Sequence, residues 1–118
     1  MKSFRFQDFE IWKIGVDVGG ELCAIADRLA ELHLYAFADQ LRRAALSITN
    51  NIAEGSGSDS KAEFKNFLNY SRRSVFECAN MLLFFHSKGL ISDEYLDLYL
   101  PQLKILSTKI QNFKKSLT

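Results

Sequence analysis

Two arginine pairs, Arg42-Arg43 and Arg72-Arg73, are the residues of this chain best suited to chemistry, and that chemistry is the holding of phosphate. Guanidinium groups grip phosphate oxygens through planar, two-pronged hydrogen bonds. The pairs fall on consecutive predicted helices that should pack antiparallel, with Lys65 about two turns and Lys61 about three turns before the second pair. These six bases are the candidate nucleic-acid contacts. Carboxylates compete for them: Glu54 lies on the stripe of Arg43, and Glu77 follows Arg73 at i+4, so ion pairs within or between subunits are the alternative use. Lys104, Lys109, Lys114 and Lys115 scatter around the last predicted helix and form no stripe.

The other polar concentration lies around the first arginine pair. Arg43, Ser47, Asn50 and Glu54 recur at i, i+4, i+7 and i+11, one face of a helix, and Asn51 sits at the margin of the apolar arc. A partly buried amide must find partners. Ser47, Ser71 or Ser74 would supply them if the second and third helices pack together. The ordinary account of Ser47, Asn50, Asn51, Glu54 and Gly55 is thus a polar motif that sets helix register.

Catalysis and metal binding find little support. The chain has no Glu-x-x-His, no Gly-x-Ser-x-Gly and no phosphate-binding or dinucleotide loop. His33, His86, Cys23 and Cys78 assemble into no ligand set of usual spacing, so neither a metal nor a cofactor is expected. The acid pairs Asp17/Glu21 and Asp27/Glu31 read as solvated faces, because nothing apolar is placed to raise their pKa values.

A chain of 118 residues, 47% hydrophobic and 25% charged, is expected to form one domain with an ample core. Its net charge is +1, but residues 1–39 hold four bases and seven acids, and residues 40–118 hold eleven bases and seven acids. An anionic partner should therefore meet the second half. Apolar runs reach only five residues, as in Met81–Phe85, too short to cross a membrane, and two cysteines among apolar neighbours read as reduced thiols, so a cytoplasmic location is expected.

Apolar spacing predicts four helices. The first runs from about Asp8, its cap, to Glu31, with a bulky seam (Ile11, Val18, Leu22, Ile25, Leu29, Leu32) and a second that narrows to small residues (Trp12, Val16, Gly19, Cys23, Ala26, Ala30). The second covers about Ala38–Glu54, stopping at Gly55 as a left-handed terminator. The third opens on the capping box Ser60-x-x-Glu63 and ends at Gly89. The fourth follows Ser92 and continues to about Ser116, with Pro101 as a kink or a restart. From Val75 onward the third helix is apolar nearly all round, a pattern that calls for cover on every side. Phe76, Leu83 and Phe84, with Leu46 and Ala53 opposite the core arc of the second helix, are the expected interface of a homo-oligomer.

The stretch Gln40–Gly57 and the opening Phe6-x-x-Phe9-x-x-Trp12 carry a resemblance that runs through most of the chain. They resemble the four-helix bundle proteins described as rRNA intervening-sequence or ribosomal-protein-like, a family similar to retroelement accessory variability determinants. The resemblance implies an all-α, up-down-up-down antiparallel bundle and ring-forming homo-oligomers, pentamers above all. It also implies a non-enzymatic role, with RNA or a nucleic-acid-associated protein as partner; a protein-interaction scaffold is the alternative. Three positions depart from the family pattern. Thr49 replaces a usual proline, Ser58 an arginine, and Arg73 the glycine before Ser74.

Overall fold

A computed structural model describes residues 2–118. Helices α1 (Glu10–Glu31), α2 (Tyr35–Ser56), α3 (Lys61–Ser87) and α4 (Asp93–Ser116) follow a short 3-10 turn, Arg5–Asp8. Each helix packs against its chain neighbours and α1 closes onto α4, which gives an antiparallel up-down-up-down bundle. Its long axis, 44 Å, is about the length of the 27-residue α3 at roughly 1.5 Å per residue. Among the described residues there is no strand.

The expected seams form the core, except that Leu32, just past the end of α1, is 58% exposed. Val18, Leu22 and Leu29 of α1 meet Leu41, Ile48 and Ile52 of α2, Leu68, Leu82 and Phe85 of α3, and Leu103, Leu106 and Ile110 of α4, all nearly inaccessible. Polar side chains cap the starts of α3 and α4: Ser60 Oγ accepts from the Glu63 amide at 3.1 Å, and Ser92 Oγ from the Tyr95 amide at 3.2 Å. Pro101 lies inside α4 without ending it.

Several helix limits differ from expectation. Asp8 does not cap α1; it sits in the 3-10 turn and pairs with Lys2 at 2.6 Å. The helix instead starts after Phe9, whose ring is anchored between Phe113 (4.9 Å) and Phe64 (6.4 Å). Helix α2 starts three residues earlier than the apolar arc indicates, at Tyr35, because His33 turns the chain with φ 63°. Gly89, with φ 72°, ends α3 as expected.

Gly55 does not stop α2. It is buried inside the helix, where a Cβ would stand 2.7 Å from Phe67 Cβ and 2.8 Å from Phe64 Cδ1. The glycine is needed for the close approach of α3, not for a left-handed turn. Gly15 plays the same part between α1 and α2, with Thr49 Cγ2 only 2.9 Å from where its Cβ would be.

Candidate functional site

The antiparallel crossing of α2 and α3 is pinned by hydroxyl groups. Ser71, fully buried, donates to the Ile48 carbonyl at 2.7 Å, and one turn along Ser47 Oγ meets Ser74 Oγ at 2.8 Å. Ser74 donates its only hydroxyl proton to the Tyr70 carbonyl at 3.1 Å. Ser47 must therefore donate to Ser74, and it accepts from Asn51 Nδ2 at 2.9 Å. Asn51 Nδ2 also donates to the Ser47 carbonyl at 2.8 Å, which fixes the amide orientation. The run Asn51→Ser47→Ser74→Tyr70 carbonyl is a chain of hydrogen bonds with one direction, and it leaves the Asn51 Oδ1 acceptor without a bond among the described residues.

These groups floor a polar groove of about 400 Å³ between α2 and α3, lined by Ser47, Asn51, Tyr70, Arg73, Ser74 and Glu77. Tyr70 is half exposed, its ring held perpendicular to that of Phe67 at 6.0 Å. Helical spacing puts Arg43 one turn from Ser47 on the same stripe, with Asn50 and Glu54 farther along. Arg43, Asn50, Glu54, Arg73 and Glu77 are all exposed. Neither expected ion pair forms: among the described residues, no carboxylate oxygen lies within 4.0 Å of Arg43 or Arg73.

The other four candidate bases do not converge on this groove. Arg42 leans the opposite way and bridges α2 to α1, pairing with Asp27 at 2.6 Å and with Asp39 at 3.3 Å. The hydrogen bond to Asp27 raises the pKa of its guanidinium further. Lys61, Lys65 and Arg72, spaced at i, i+4 and i+11, fall on the flank of α3 that faces α4. There Lys61 Nζ donates to the Thr118 carbonyl, and the Arg72 guanidinium lies 5.0 Å from the Phe76 ring centre. The 100° of rotation between neighbours turns Arg42 away from Arg43, whereas Arg72 and Arg73 still border a common shallow pocket with Phe76.

Tyr70 was not among the sequence candidates. Its signal was its i−3 spacing from Arg73, an aromatic ring one turn from a free guanidinium on a polar stripe.

The expected oligomer residues divide between two opposite sides. Leu46 (59% exposed) and Val16 (44%), with half-buried Ala53 and Trp12, lie on the α1–α2 side. Phe76 (51%) and Leu83 (47%) lie toward α4, where Phe76 borders an apolar groove of about 130 Å³ with Ala79, Leu100 and Lys104. Phe84 (44% exposed) sits apart from both sides, with its ring edge-on to Phe37 of α2 at 5.8 Å.

Among the described residues no three His, Cys, Asp or Glu side chains gather as metal ligands, and no helix is long and apolar enough to cross a membrane. Burial, with smaller contributions from Glu77 and Cys23, pushes the Cys78 thiol up to about 12 and makes it a poor nucleophile. His86 and Asp93 pair at 2.5 Å at the end of the bundle, well apart from the groove residues in sequence.

No curated protein matches the chain. A family model does, over residues 7–112, which takes in all of α1, α2 and α3, the polar groove and most of α4. On that match the chain belongs to the family of the 23S rRNA-intervening sequence protein.

Proposed function

We propose that this chain is a non-enzymatic, self-associating helical bundle that binds RNA through its α2–α3 side. The observation that carries this reading is the state of Arg43 and Arg73. Both are exposed beside the polar groove, and neither is neutralised, although Glu54 and Glu77 lie on the same helices. Unpaired guanidinium groups next to hydrogen-bonding side chains suit phosphate and sugar oxygens. The family name, which refers to ribosomal RNA, agrees with this chemistry.

Self-association supports the same reading. The apolar surfaces on the α1–α2 and α3–α4 sides differ in shape and charge. The α3–α4 side adds Lys61, Lys65, Arg72 and Lys104, and the acid surplus of residues 1–39 lies mostly on α1. Two unlike faces on opposite sides of one molecule suit a head-to-tail contact, which makes a ring where the rotation between subunits closes. A ring of five is what the family resemblance implies. Such a ring leaves α2–α3 uncovered and repeats its groove once per subunit, so a net charge of +1 per chain does not prevent tight binding.

The test is fluorescence anisotropy of a labelled RNA over a range of salt. Binding should weaken with salt by a slope of about 0.7 to 0.9 per neutralised phosphate, and the double variant Arg43→Gln/Arg73→Gln should flatten that slope with unchanged helicity. The scaffold reading, for which the carboxylate-bound Arg42 speaks, gains if the unmodified protein binds no RNA at low salt.

A further inference from the structure

The α2–α3 groove holds more than cations, and its other groups define what kind of RNA would fit. Tyr70 exposes about half its surface, with its ring steadied by Phe67. Its hydroxyl has no partner among the described residues. Asn51 presents an unbonded Oδ1, because both of its donor bonds run to Ser47. Glu77 adds a carboxylate that forms no ion pair among the described residues. At the rim Arg73 lies one turn from both Tyr70 and Glu77, and Arg43 one turn from Ser47 on the facing helix.

An aromatic ring, two acceptor groups and two flanking guanidinium groups make a poor match for a duplex. Double-stranded RNA buries its base faces and is met through phosphates and 2′-hydroxyls. An unpaired nucleotide uses every group: its base stacks on an aromatic ring, its edge seeks hydrogen bonds, and its phosphates seek arginine. Acceptors on the protein select a base that carries donors. Adenine, cytosine and guanine each have an exocyclic amine, and uracil has a carbonyl in that place. The volume of about 400 Å³ falls within the range of small-ligand clefts, about 300–1,000 Å³.

We infer that the groove lined by Asn51, Tyr70, Arg73 and Glu77 seats one unpaired, amine-bearing nucleotide of an RNA strand. This rests on the reading of the protein as RNA-binding and names the form of RNA that it takes. An arginine side chain from a protein partner is the competing guest, since it also donates to carboxylates and stacks on tyrosine. The positive charges of Arg43 and Arg73 on both sides oppose it.

The experiment uses the intact protein with three labelled probes: ten-residue oligocytidylate, ten-residue oligouridylate, and an RNA duplex of ten base pairs. Cytosine and uracil have the same size and differ at the exocyclic group, so their comparison reads the acceptors. Oligocytidylate should bind several-fold tighter than oligouridylate and tighter than the duplex. Tyr70→Ala should weaken oligocytidylate binding about 5- to 150-fold, the equivalent of roughly 1–3 kcal/mol of stacking. Tyr70→Phe keeps the ring and should bind within about twofold of the unmodified protein. Glu77→Gln should narrow the gap between the two oligonucleotides. A melting curve for each variant confirms that it is folded, and Tyr70→Phe guards against a merely structural effect of the alanine.

Failure divides cleanly. If the unmodified protein binds none of the three probes at low salt, the RNA-binding reading itself falls. If it binds RNA, the seat is overturned by a preference for the duplex, by equal affinity for the two oligonucleotides, or by a folded Tyr70→Ala that binds as before. Capture of an arginine-rich peptide, abolished by Tyr70→Ala and Glu77→Gln while RNA binding persists, would also overturn it and assign the groove to a protein partner.

Discussion

His33 holds a left-handed backbone, φ 63°, directly after α1, and the Leu34 amide reaches back to the Leu29 carbonyl at 2.9 Å to close the helix end. A residue with a Cβ pays about 1–2 kcal/mol for that conformation, whereas glycine adopts it freely. His33→Gly should therefore raise stability by about 1 kcal/mol, less a little for the hydrogen bond shared by His33 Nδ1 and the Tyr35 hydroxyl, read as a higher denaturant midpoint. Apolar spacing puts a joint between Glu31 and Ala38 but does not mark His33 as its left-handed residue, and Gly55, the expected left-handed terminator, serves helix packing instead. Gly55→Ala should destabilise by about 1–3 kcal/mol, since its Cβ would meet the Phe67 Cβ rather than a movable side-chain tip. Cys78 adds a pH dependence. Its thiol rises from about 9 to about 12 on burial, so the folded state favours the neutral form. That stabilisation is complete below about pH 9 and is lost as pH climbs from there through about 12. Tyr99, raised chiefly by burial and next by its hydrogen bond to Glu21, acts in the same direction. The denaturant midpoint should fall between pH 9 and 11, and fall less steeply in Cys78→Ala.

At the scale of helices, the apolar seams were legible because burial follows a period of 3.6 residues whatever the loops do. The ends were less so. Tertiary anchors decided them: the Phe9 ring between Phe64 and Phe113 at the start of α1, and the early onset of α2 after His33. The serines between α2 and α3 were readable as partners of Asn51, yet the division of labour among them was not. Ser71 bonds the Ile48 carbonyl alone, whereas Ser47 and Ser74 join Asn51 in one directed chain. Spacing along single helices cannot show which side chains meet across two. A double-mutant cycle on Ser47→Ala and Ser74→Ala should reveal a coupling of at least about 0.5 kcal/mol, because each hydroxyl orients the next. Additive losses would mean that the two hydroxyls act independently. Arg42 and Arg43 teach the same lesson, since adjacency in sequence leaves one paired with Asp27 of α1 and the other without an ion pair among the described residues.

For the whole molecule, the arrangement of exposed apolar residues bears on the kind of assembly as well as its existence. Phe76 and Leu83 occupy one side, Leu46 and Val16 the opposite one, and the four are 44–59% exposed. A twofold dimer would bury one of these surfaces against its own copy and leave the other in water. A head-to-tail ring buries both in a single kind of contact. The two models differ sharply under mutation. Phe76→Glu blocks the α3–α4 side and leaves α1–α2 intact; Leu46→Glu does the reverse. Phe84→Glu is a poorer probe, because it also removes the packing of Phe84 on Phe37 within the bundle. Light scattering should report each of the first two variants as a monomer with undiminished helicity. When they are mixed, the intact α1–α2 side of Phe76→Glu meets the intact α3–α4 side of Leu46→Glu. One such contact can form and no further one, so the mixture should stop at a heterodimer. A variant that still dimerises alone would indicate a self-complementary interface. A mixture that stays monomeric would show that these two sides do not recognise each other, and the ring would have to be built from other surfaces.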